Sequence, residues 1–545
     1  MNVKRLKDPL YSYIELPSDI LSGVVDTAPF QRLRRIMQTS YGPLFSSAVH
    51  NRFVHSLGVY HLGKIAIRSL CLELEKQWTD GSLSRSDIDL EQLEYVFLLA
   101  CLLHDVGHAP FSHTGEILYL KDNQDYGPLH QSLIETVGTD TFKDDIPTQR
   151  SESAAPHEIM SAIIGIREFS SFFPEPWKKE FFARCITGYS YQDSTAESYV
   201  RNCFIQLLNS KVIDVDKLDY LIRDAYITGY CTVNIDYERL LTSLTVISEG
   251  ESGCSLAYYK GAVSVIENVV YAHDSERKWI QNHPIILYEG YILQHLMEYL
   301  AARIDSDEKH LFSAESLGKT GQCFQDGTEI RLLSDDDIIH MIKRYYTENS
   351  MVSEYFERCE RRHPLWKSEA EYKAFFQDYI SGAVLTNLES AMEATAKYLS
   401  KSVSNWVINK DLLAVLENDL SELDKTELDA RTRETQKKEK QDILKVVKTL
   451  VQYGEEIGYK DDFVLLKSSQ FSSGFAKPDF SAIKIVFSIT DEPNIVNFSE
   501  KISSVVGINR GGSKFFYLYY KRNDLDTAVF EVTKLRKQLF AQFMG

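Results

Sequence analysis

A chain of 545 residues is too long for one compact core, so we expect two to three lobes. The 60 basic residues face 78 acidic ones, and the resulting net charge of −18 argues against general binding to nucleic acid. No stretch approaches the roughly 20 consecutive apolar residues of a membrane-spanning helix, and the 8 cysteines form no C-x-x-C pair. We therefore expect a cytoplasmic protein with no membrane segment, disulfide framework or zinc–thiolate site.

The first 40 residues combine an extended stretch with an amphipathic helix predicted over residues 18–35. This helix ends in the basic run 31–35, for which a solvated face is the plainest explanation. The next helix, predicted to reach about residue 76, begins with a cluster of polar side chains that need partners if they are buried. They are His50, Asn51, Arg52 and His55.

The apolar run 95–103 leads directly into His104 and Asp105, and Gly107 with Pro110 then ends the helix. Two side chains that can bind metal therefore leave a rigid, buried element side by side. Residues 121–156 show little periodicity, which predicts a surface insertion or lid rather than a helix.

Further helices are predicted at His157, over residues 177–187 and 198–208, and through the polar segment 213–224. In that last segment Asp216, Tyr220 and Asp224 recur every four residues, so they share one helix face, with Lys217 beside it. The pattern stays mostly helical from residue 255 to about 415.

A charged stretch at 417–441 marks a domain boundary near 440–460. Beyond it, residues 462–467, 482–488 and 514–520 are rich in β-branched and aromatic side chains, and a helix is predicted at 527–543. This C-terminal part is expected to form a small α+β lobe.

Four side chains from three separate helices form a candidate metal site: His55, His104, Asp105 and Asp216. Two imidazoles and two carboxylates suit a first-row divalent metal with open positions, since a closed structural zinc site more often uses cysteines. Four such groups left without partners in a core would be strongly unfavourable, which argues against purely structural histidines.

Three ordered motifs, at residues 51–58, 104–113 and 214–220, resemble the HD-domain deoxynucleoside triphosphate triphosphohydrolases, which include dGTPase-like members. The resemblance implies that the four residues above bind a divalent metal (Mn, Fe, Mg or Zn), which polarises the α-phosphate and helps to activate water. It also implies that His157, held by Glu116, is the catalytic histidine that protonates the leaving 5′-oxygen. The products would be a deoxynucleoside and triphosphate.

The same resemblance implies contacts for substrate and for an activator. Phosphate contacts fall to Arg52, His108, His113 and Lys217, and sugar contacts to Gln38, Tyr220 and Asp224. An activating nucleotide, GTP or a dNTP, would bind at a subunit interface through Lys4, Asp26, Gln31 and Arg34. Family members further suggest a homotetramer and a role in antiviral defence through dNTP depletion.

The expected fold is mainly α, with a helical HD-domain core and a small C-terminal α+β lobe. We expect an N-terminal segment with the activator site at 1–40, a catalytic core at 41–300, a helical extension with a charged linker at 301–445, and a regulatory lobe at 446–545. We expect no SAM domain, which some family members carry. Two alternatives stay open: another HD phosphohydrolase, such as a 5′-nucleotidase or phosphodiesterase, and a nucleotide sensor without turnover.

Overall fold

The computed structural model describes most of the chain. Its description leaves out residues 1–2, 84, 86, 120–126, 148, 150–151, 232, 250–252, 304–321, 324–328, 331, 346–349, 377–381, 401–406, 424–428, 460, 469–479, 481–482, 488–493, 499–514, 522–531 and 544–545. The described part is mainly α-helical, which confirms the predicted fold class. None of its helices combines the length and the apolar character needed to cross a membrane.

The chain divides into two units, each assembled from separated stretches. The first comprises Met1–Glu276, Arg303–Met341 and Ser472–Arg510, and the second comprises Arg277–Ala302, Ile342–Phe471 and Gly511–Gly545. The domains expected at 1–40, 41–300, 301–445 and 446–545 stay a prediction.

The first unit opens with an antiparallel hairpin of β1 (Val3–Asp8) and β2 (Ser12–Pro17). The single helix predicted over residues 18–35 is instead a series of four short helical turns. In the third of these a proline lies in the first turn, where its missing N–H is tolerated. The turns are α1 (Ser18–Ile20), a π-helix (Leu21–Val25), α2 (Ala28–Gln31) and a 3₁₀-helix (Arg32–Arg35).

Two long helices, α3 (Arg52–Asp80) and α4 (Leu90–Leu103), pack against each other in the core of this unit. Helix α3 begins where the Asn51 side chain accepts the N–H of Val54, and it ends at Gly81, whose φ of 78° is left-handed. Every residue from 96 to 112 is buried, so α4 carries the motif at its end into the interior.

The stretch predicted as a lid contains two helices, α5 (Gly127–Val137) and α6 (Asp140–Asp145), so that prediction is wrong for these residues. Helix α5 packs on α7 (Pro156–Glu168) and buries Leu129, Leu133 and Val137. These side chains are four residues apart, and this is the helical signal that the polar residues between them obscured.

The remaining helices of the first unit are α8 (Pro176–Thr187), α9 (Ala196–Leu208), α10 (Val215–Thr228), α11 (Tyr237–Thr242) and α12 (Val263–Glu276). Helices α8, α9 and α10 confirm the predicted helices there.

A four-stranded sheet also belongs to the first unit, where a helical pattern was predicted from residue 255. Its order is Asn494–Asn497, Lys484–Phe487, β4 (Gly253–Tyr259) and β3 (Leu244–Glu249), and Lys484–Phe487 pairs parallel with β4. One of the strands expected in the C-terminal lobe therefore completes a sheet of the first unit. A short hairpin joins Gln322–Cys323 and Glu329–Ile330, and the helix Asp335–Tyr345 begins in this unit.

The second unit contains an antiparallel sheet and several helices. The sheet order is Arg362–Pro364, Phe516–Lys521, Phe463–Lys467 and Val407–Ile408, so two of the three predicted C-terminal strands pair here. The helices are Pro284–Arg303, Ser350–Phe356, Glu369–Phe376, Gly382–Leu399, Lys410–Leu423, Ala430–Glu456 and Val532–Ala541.

Candidate active site

The four predicted metal ligands come together in the first unit, from α3, the end of α4 and the start of α10. His55 Nε2 lies 3.3 Å from His104 Nε2 and 2.9 Å from Asp216 Oδ1. His104 Nε2 lies 3.7 Å from the same Asp216 oxygen and 3.4 Å from Asp105 Oδ1, while Asp105 Oδ2 lies 3.6 Å from His55 Nε2. Two imidazole nitrogens and two carboxylates therefore converge on one place.

Local folding signals set these side chains in position. Helix α10 starts one residue before Asp216, and its N-cap Asp214 accepts the N–H of Lys217 at 2.7 Å. The turn after His104 and Asp105 lies directly on α7, and the N–H of Gly107 donates to Ser161 Oγ at 2.9 Å. A Cβ at Gly107 would collide with the backbone of α7, so only glycine allows this close approach.

The donor chemistry and electrostatics fit a divalent cation. Burial opposes ionisation of Asp105, yet Arg52, His104 and His108 hold its pKa well below the usual range. Burial likewise opposes a charge on Asp216, whose pKa His104 and His55 nevertheless depress. Two ionised carboxylates beside two imidazoles form the mixed N and O ligand set that suits Mn²⁺, Fe²⁺ or Zn²⁺.

Asp219 is a residue of this site that the sequence reasoning did not assign. Its Oδ2 accepts a hydrogen bond from His55 Nδ1 at 2.7 Å, and because a carboxylate only accepts, the Nδ1 of His55 carries the hydrogen. Nε2 is then the nitrogen that His55 would offer to a cation, which would displace the proton that Asp216 accepts from it at 2.9 Å. Arg223, four residues along α10, pairs with Asp219 at 2.9 Å, and this i, i+4 spacing was the available signal.

The network behind His55 extends to the N-terminal hairpin. Tyr11 donates its hydroxyl to Asp219 Oδ1 at 2.8 Å, and Arg223 also binds Asp8 at 3.1 Å. Burial would raise the pKa of Asp219, but Arg223 and His55 lower it to about 2. The Asp219 carboxylate that orients His55 is therefore ionised, and it is bound by Tyr11, Arg223 and His55.

We predict that Asp219→Asn weakens metal binding about 10- to 100-fold, the usual effect of losing a carboxylate behind a ligating histidine. The amide has no charge to offer Arg223, and its orientation no longer fixes the tautomer of His55. Titration of the purified variant with Mn²⁺ by electron paramagnetic resonance measures the affinity.

The matched control for this variant is Glu180→Gln, which also breaks a buried pair of a carboxylate with an arginine four residues away, Arg184, but lies on α8. Glu180→Gln should leave the Mn²⁺ affinity unchanged. An Asp219→Asn variant with wild-type affinity would show that the tautomer of His55 is fixed without Asp219.

A second cluster lies beside the first and contains the candidate catalytic histidine. Glu116 Oε1 binds His157 Nδ1 at 2.6 Å and His113 Nδ1 at 2.7 Å. The rings of His108 and His157 stack with centroids 4.1 Å apart, and His108 Nε2 lies 3.3 Å from Asp105 Oδ1. Asp105 and His108 therefore connect the two clusters.

The charge state of the second cluster suits proton transfer. Burial would lower the pKa of His157, but the Glu116 carboxylate raises it to about 9. The two histidines in turn hold the pKa of Glu116 well below its usual value, against the effect of burial. At neutral pH His157 is therefore an imidazolium paired through Nδ1, which leaves the proton on Nε2 to transfer.

Two of the predicted phosphate contacts, Arg52 and Lys217, are already paired with neighbouring protein groups, and His113 is exposed and paired with Glu116. Neither ring nitrogen of the buried His108 has a hydrogen-bond partner among the described residues. Arg52 is buried, with Nη1 2.8 Å from Asp105 Oδ2 and Nε donating to Ser112 Oγ at 2.9 Å. Lys217 Nζ donates to the Ser210 carbonyl at 2.6 Å and pairs with its own helix cap at Asp214.

The predicted sugar contacts lie near the same groups. Gln38 is buried, and its Oε1 accepts no hydrogen bond from any described residue. This oxygen is therefore available to accept a hydrogen bond from a ligand. Asp224 is also buried and binds His50 Nε2 at 2.6 Å, which makes His50 a further group that the sequence reasoning left without a role. Tyr220 is half-buried on the same face of α10.

The candidate activator residues occupy the exposed side of the N-terminal segment. Arg34 donates to Gln31 Oε1 at 2.9 Å and stacks over the Phe53 ring at 3.5 Å. Asp26 is exposed between the helical turns, and Lys4 is exposed on β1.

Comparison with known proteins supports the resemblance drawn from the motifs. No protein-family model matches the chain. It is 31% identical over 257 residues to the deoxynucleoside triphosphate triphosphohydrolase SAMHD1 of Gallus gallus, a match that covers 46% of this chain and 38% of that protein. It is 29% identical over 239 residues to the uncharacterized protein YwfO of Bacillus subtilis (strain 168), covering 44% and 43% respectively.

A solved structure, that of a hypothetical protein from Aquifex aeolicus, has the same fold, with a TM-score of 0.55 and 18% identity over 99% of this chain and 100% of that one. The matched regions span about half or less of the curated relatives. Over those regions the chain is similar to the HD-domain deoxynucleoside triphosphate triphosphohydrolases, which confirms the resemblance.

Proposed function

We propose that this protein is a metal-dependent triphosphohydrolase that converts a dNTP and water into a deoxynucleoside and triphosphate. The observation that carries the proposal is the junction of a metal-type cluster with a proton-transfer cluster through Asp105 and His108. The activity that names the vertebrate relatives supports the same choice of substrate.

The metal cluster would place the α-phosphate. A divalent cation held by His55, His104, Asp105 and Asp216 supplies a Lewis acid for a phosphate oxygen. Arg52, which contacts Asp105, contributes fixed positive charge in a protein of net charge −18. This local field allows an acidic protein to hold a polyanionic substrate.

The second cluster would supply the proton. Water attacks the α-phosphorus while the bond from phosphorus to the 5′-oxygen breaks, and the electron pair of that bond goes to the 5′-oxygen. His157 donates its Nε2 proton to this oxygen, and Glu116 stabilises the imidazolium through Nδ1 before the transfer. The attacking water loses one proton to solvent, and His157 takes up one proton from solvent. The number of protons is therefore balanced and the histidine is ready for the next turnover.

The sugar would lie against the polar face of α10. The free Oε1 of Gln38 and the Asp224 carboxylate offer hydrogen-bond acceptors for a 3′-hydroxyl, and the Tyr220 ring offers a flat apolar surface. A tight fit around C2′ would exclude ribose, because a buried hydroxyl without a partner is unfavourable.

The wider proposal concerns regulation and setting. We propose that GTP or a dNTP binds through Lys4, Asp26, Gln31 and Arg34 and stabilises a homotetramer, that the C-terminal residues 446–545 contribute to this regulation, and that the enzyme depletes dNTPs in the cytoplasm, including in defence against viruses. Sedimentation velocity with and without GTP tests the assembly, since activation through a subunit interface requires a larger species with nucleotide.

The deciding experiment incubates the purified chain with Mn²⁺ or Mg²⁺ and each dNTP, alone and mixed, in water enriched in oxygen-18. We expect inorganic triphosphate that carries the heavy oxygen, and an unlabelled deoxynucleoside, because water attacks phosphorus. Ribonucleotides serve as the control substrates and should stay intact.

Three other outcomes would contradict the proposal. Pyrophosphate or orthophosphate would show that a bond between phosphates breaks rather than the bond from the α-phosphorus to the 5′-oxygen. Hydrolysis of a 5′-monophosphate or a cyclic dinucleotide alone would indicate another HD phosphohydrolase. Tight nucleotide binding without any product would indicate a sensor.

A further inference from the structure

One buried carboxylate outside the two clusters holds two separate segments of the proposed active site. Asp335, at the start of the helix Asp335–Tyr345, is only 4% exposed. Its Oδ1 accepts the backbone N–H of Phe111 at 2.6 Å, and its Oδ2 accepts the backbone N–H of Met37 at 2.9 Å. Both carboxylate oxygens are therefore used to fix main chain far away in sequence.

The two segments belong to the candidate site. Met37 precedes Gln38, the candidate sugar contact, and Phe111 precedes Ser112 and His113 in the loop that leads to Glu116. The same segments also bind each other, because Ser112 Oγ donates to the Met37 carbonyl at 2.5 Å. The Asp335 carboxylate and the Ser112 hydroxyl thus form a ring of hydrogen bonds. The ring joins the segment of the candidate sugar contact, at Met37, to the segment of the candidate phosphate contact, at Phe111.

The loop that Asp335 holds has an unfavourable backbone conformation. Phe111 and Ser112 are consecutive non-glycine residues with φ of 59° and 54°, in the left-handed region that such residues rarely adopt. Conformations of this kind persist only where surrounding contacts impose them. The short hydrogen bond from Phe111 to Asp335 is one such contact.

The ring connects onward to the metal ligands. Arg52 donates to Ser112 Oγ through Nε and to Asp105 through Nη1. On the opposite side the buried Arg32 donates to the carbonyls of Leu333 and His108, both at 2.7 Å. Displacement of the Phe111 loop would therefore move Arg52 and, through it, the carboxylate of Asp105.

We infer that Asp335 is a positioning residue, which fixes the spacing between the sugar-binding and phosphate-binding segments of the active site. The inference rests on the proposed function, since it assigns those segments to substrate. A side chain that touches neither substrate nor metal would then control turnover through backbone alone.

The test is Asp335→Asn, compared with two matched variants at the same helix start. An asparagine presents one oxygen and one NH₂ group, so one of the two backbone N–H groups faces a donor and is released. Asp336→Asn removes an exposed carboxylate that pairs with Arg35, and Asp337→Asn removes the charge of a carboxylate in the first turn of the same helix, whose Oδ2 accepts the Ser334 N–H at 2.7 Å.

We expect Asp335→Asn to lower kcat about 100-fold, the usual effect of a displacement near 1 Å in an active site, with a smaller change in KM. Hydrogen exchange of the amides of residues 37 and 111 should become about 10-fold faster in at least one of the two, since a buried hydrogen bond is lost. Asp336→Asn and Asp337→Asn should match the wild type in kcat and in exchange at both amides. Should Asp335→Asn fail to fold, Ser112→Ala breaks the same ring from the other side and should give the same loss of kcat.

Unchanged hydrogen exchange together with unchanged kcat in Asp335→Asn would overturn the inference. An equal loss of kcat in Asp337→Asn would also overturn it, because it would indicate a general effect of changes at the helix start. A wild-type protein that releases no triphosphate contradicts the proposed function instead. The exchange measurement still decides in that case whether Asp335 holds the two segments.

Discussion

His104→Ala should lose the bound metal and the triphosphate-releasing activity together. The imidazole supplies one of the nitrogens that converge with His55 Nε2 and Asp216 Oδ1, and alanine leaves two carboxylates and one histidine to hold the cation. Such a site binds more weakly and in a different geometry, so the Lewis acid is lost from the α-phosphate. Metal analysis of the purified variant and an assay in excess Mn²⁺ measure the two effects.

His130→Ala is the matched control, since His130 is a half-buried histidine of the same unit whose Nε2 binds the Tyr189 hydroxyl. It should retain both metal and activity. Full activity of His104→Ala without metal would contradict the assignment of the ligand set, and full metal content without activity would assign His104 to the chemistry.

The convergence of the four candidate ligands was predictable because these residues lie at helix ends that the sequence marks. The apolar run before His104, the breakers after it and the four-residue repeat from Asp216 each mark a helix face or terminus, and the structure brings these positions together. Gly107 is part of the same signal, because its lack of a side chain lets the turn rest on α7.

The groups that support the site were harder to predict, since they depend on contacts distant in sequence. Asp335 lies 224 residues from Phe111 and 298 from Met37, and nothing in its local pattern, a helix start rich in aspartate, separates it from its neighbours. Arg32 lies in a basic run that predicted a solvated face, yet its guanidinium is buried against three backbone carbonyls. A pattern that identifies helix faces carries no information on such long-range partners.

The prediction of strand pairing was wrong for the same reason. The strand predicted over residues 482–488 is confirmed for Lys484–Phe487, but the parallel partner of that strand is β4, more than 200 residues earlier. β4 itself, Gly253–Tyr259, was assigned to a helical region because its tyrosines and alanine fit either structure. The choice between helix and strand there depended on a pairing that the local sequence does not contain.

His157→Ala should keep the metal and lose turnover about 10²- to 10⁴-fold, the usual contribution of a general acid. The ring of His157 binds Glu116 and stacks on His108, and it contacts none of the four proposed ligands. Its removal therefore takes away the proton for the leaving oxygen and leaves the cation in place. Equal metal loss in His157→Ala and His104→Ala would show that His157 is a ligand.

The pH profile gives the sharper test of the same role. Burial lowers and Glu116 raises the pKa of His157, with a result of about 9, so the imidazolium persists at neutral pH and kcat should fall as pH rises through about 9. In Glu116→Gln the largest of the charges that raise this pKa is gone while burial still lowers it, so the pKa should fall below about 9. The basic limb of the kcat profile should then move to lower pH, with unchanged metal content. A basic limb that stays near its wild-type position in Glu116→Gln would show that the titrating acid does not depend on the Glu116 carboxylate, and so is not His157.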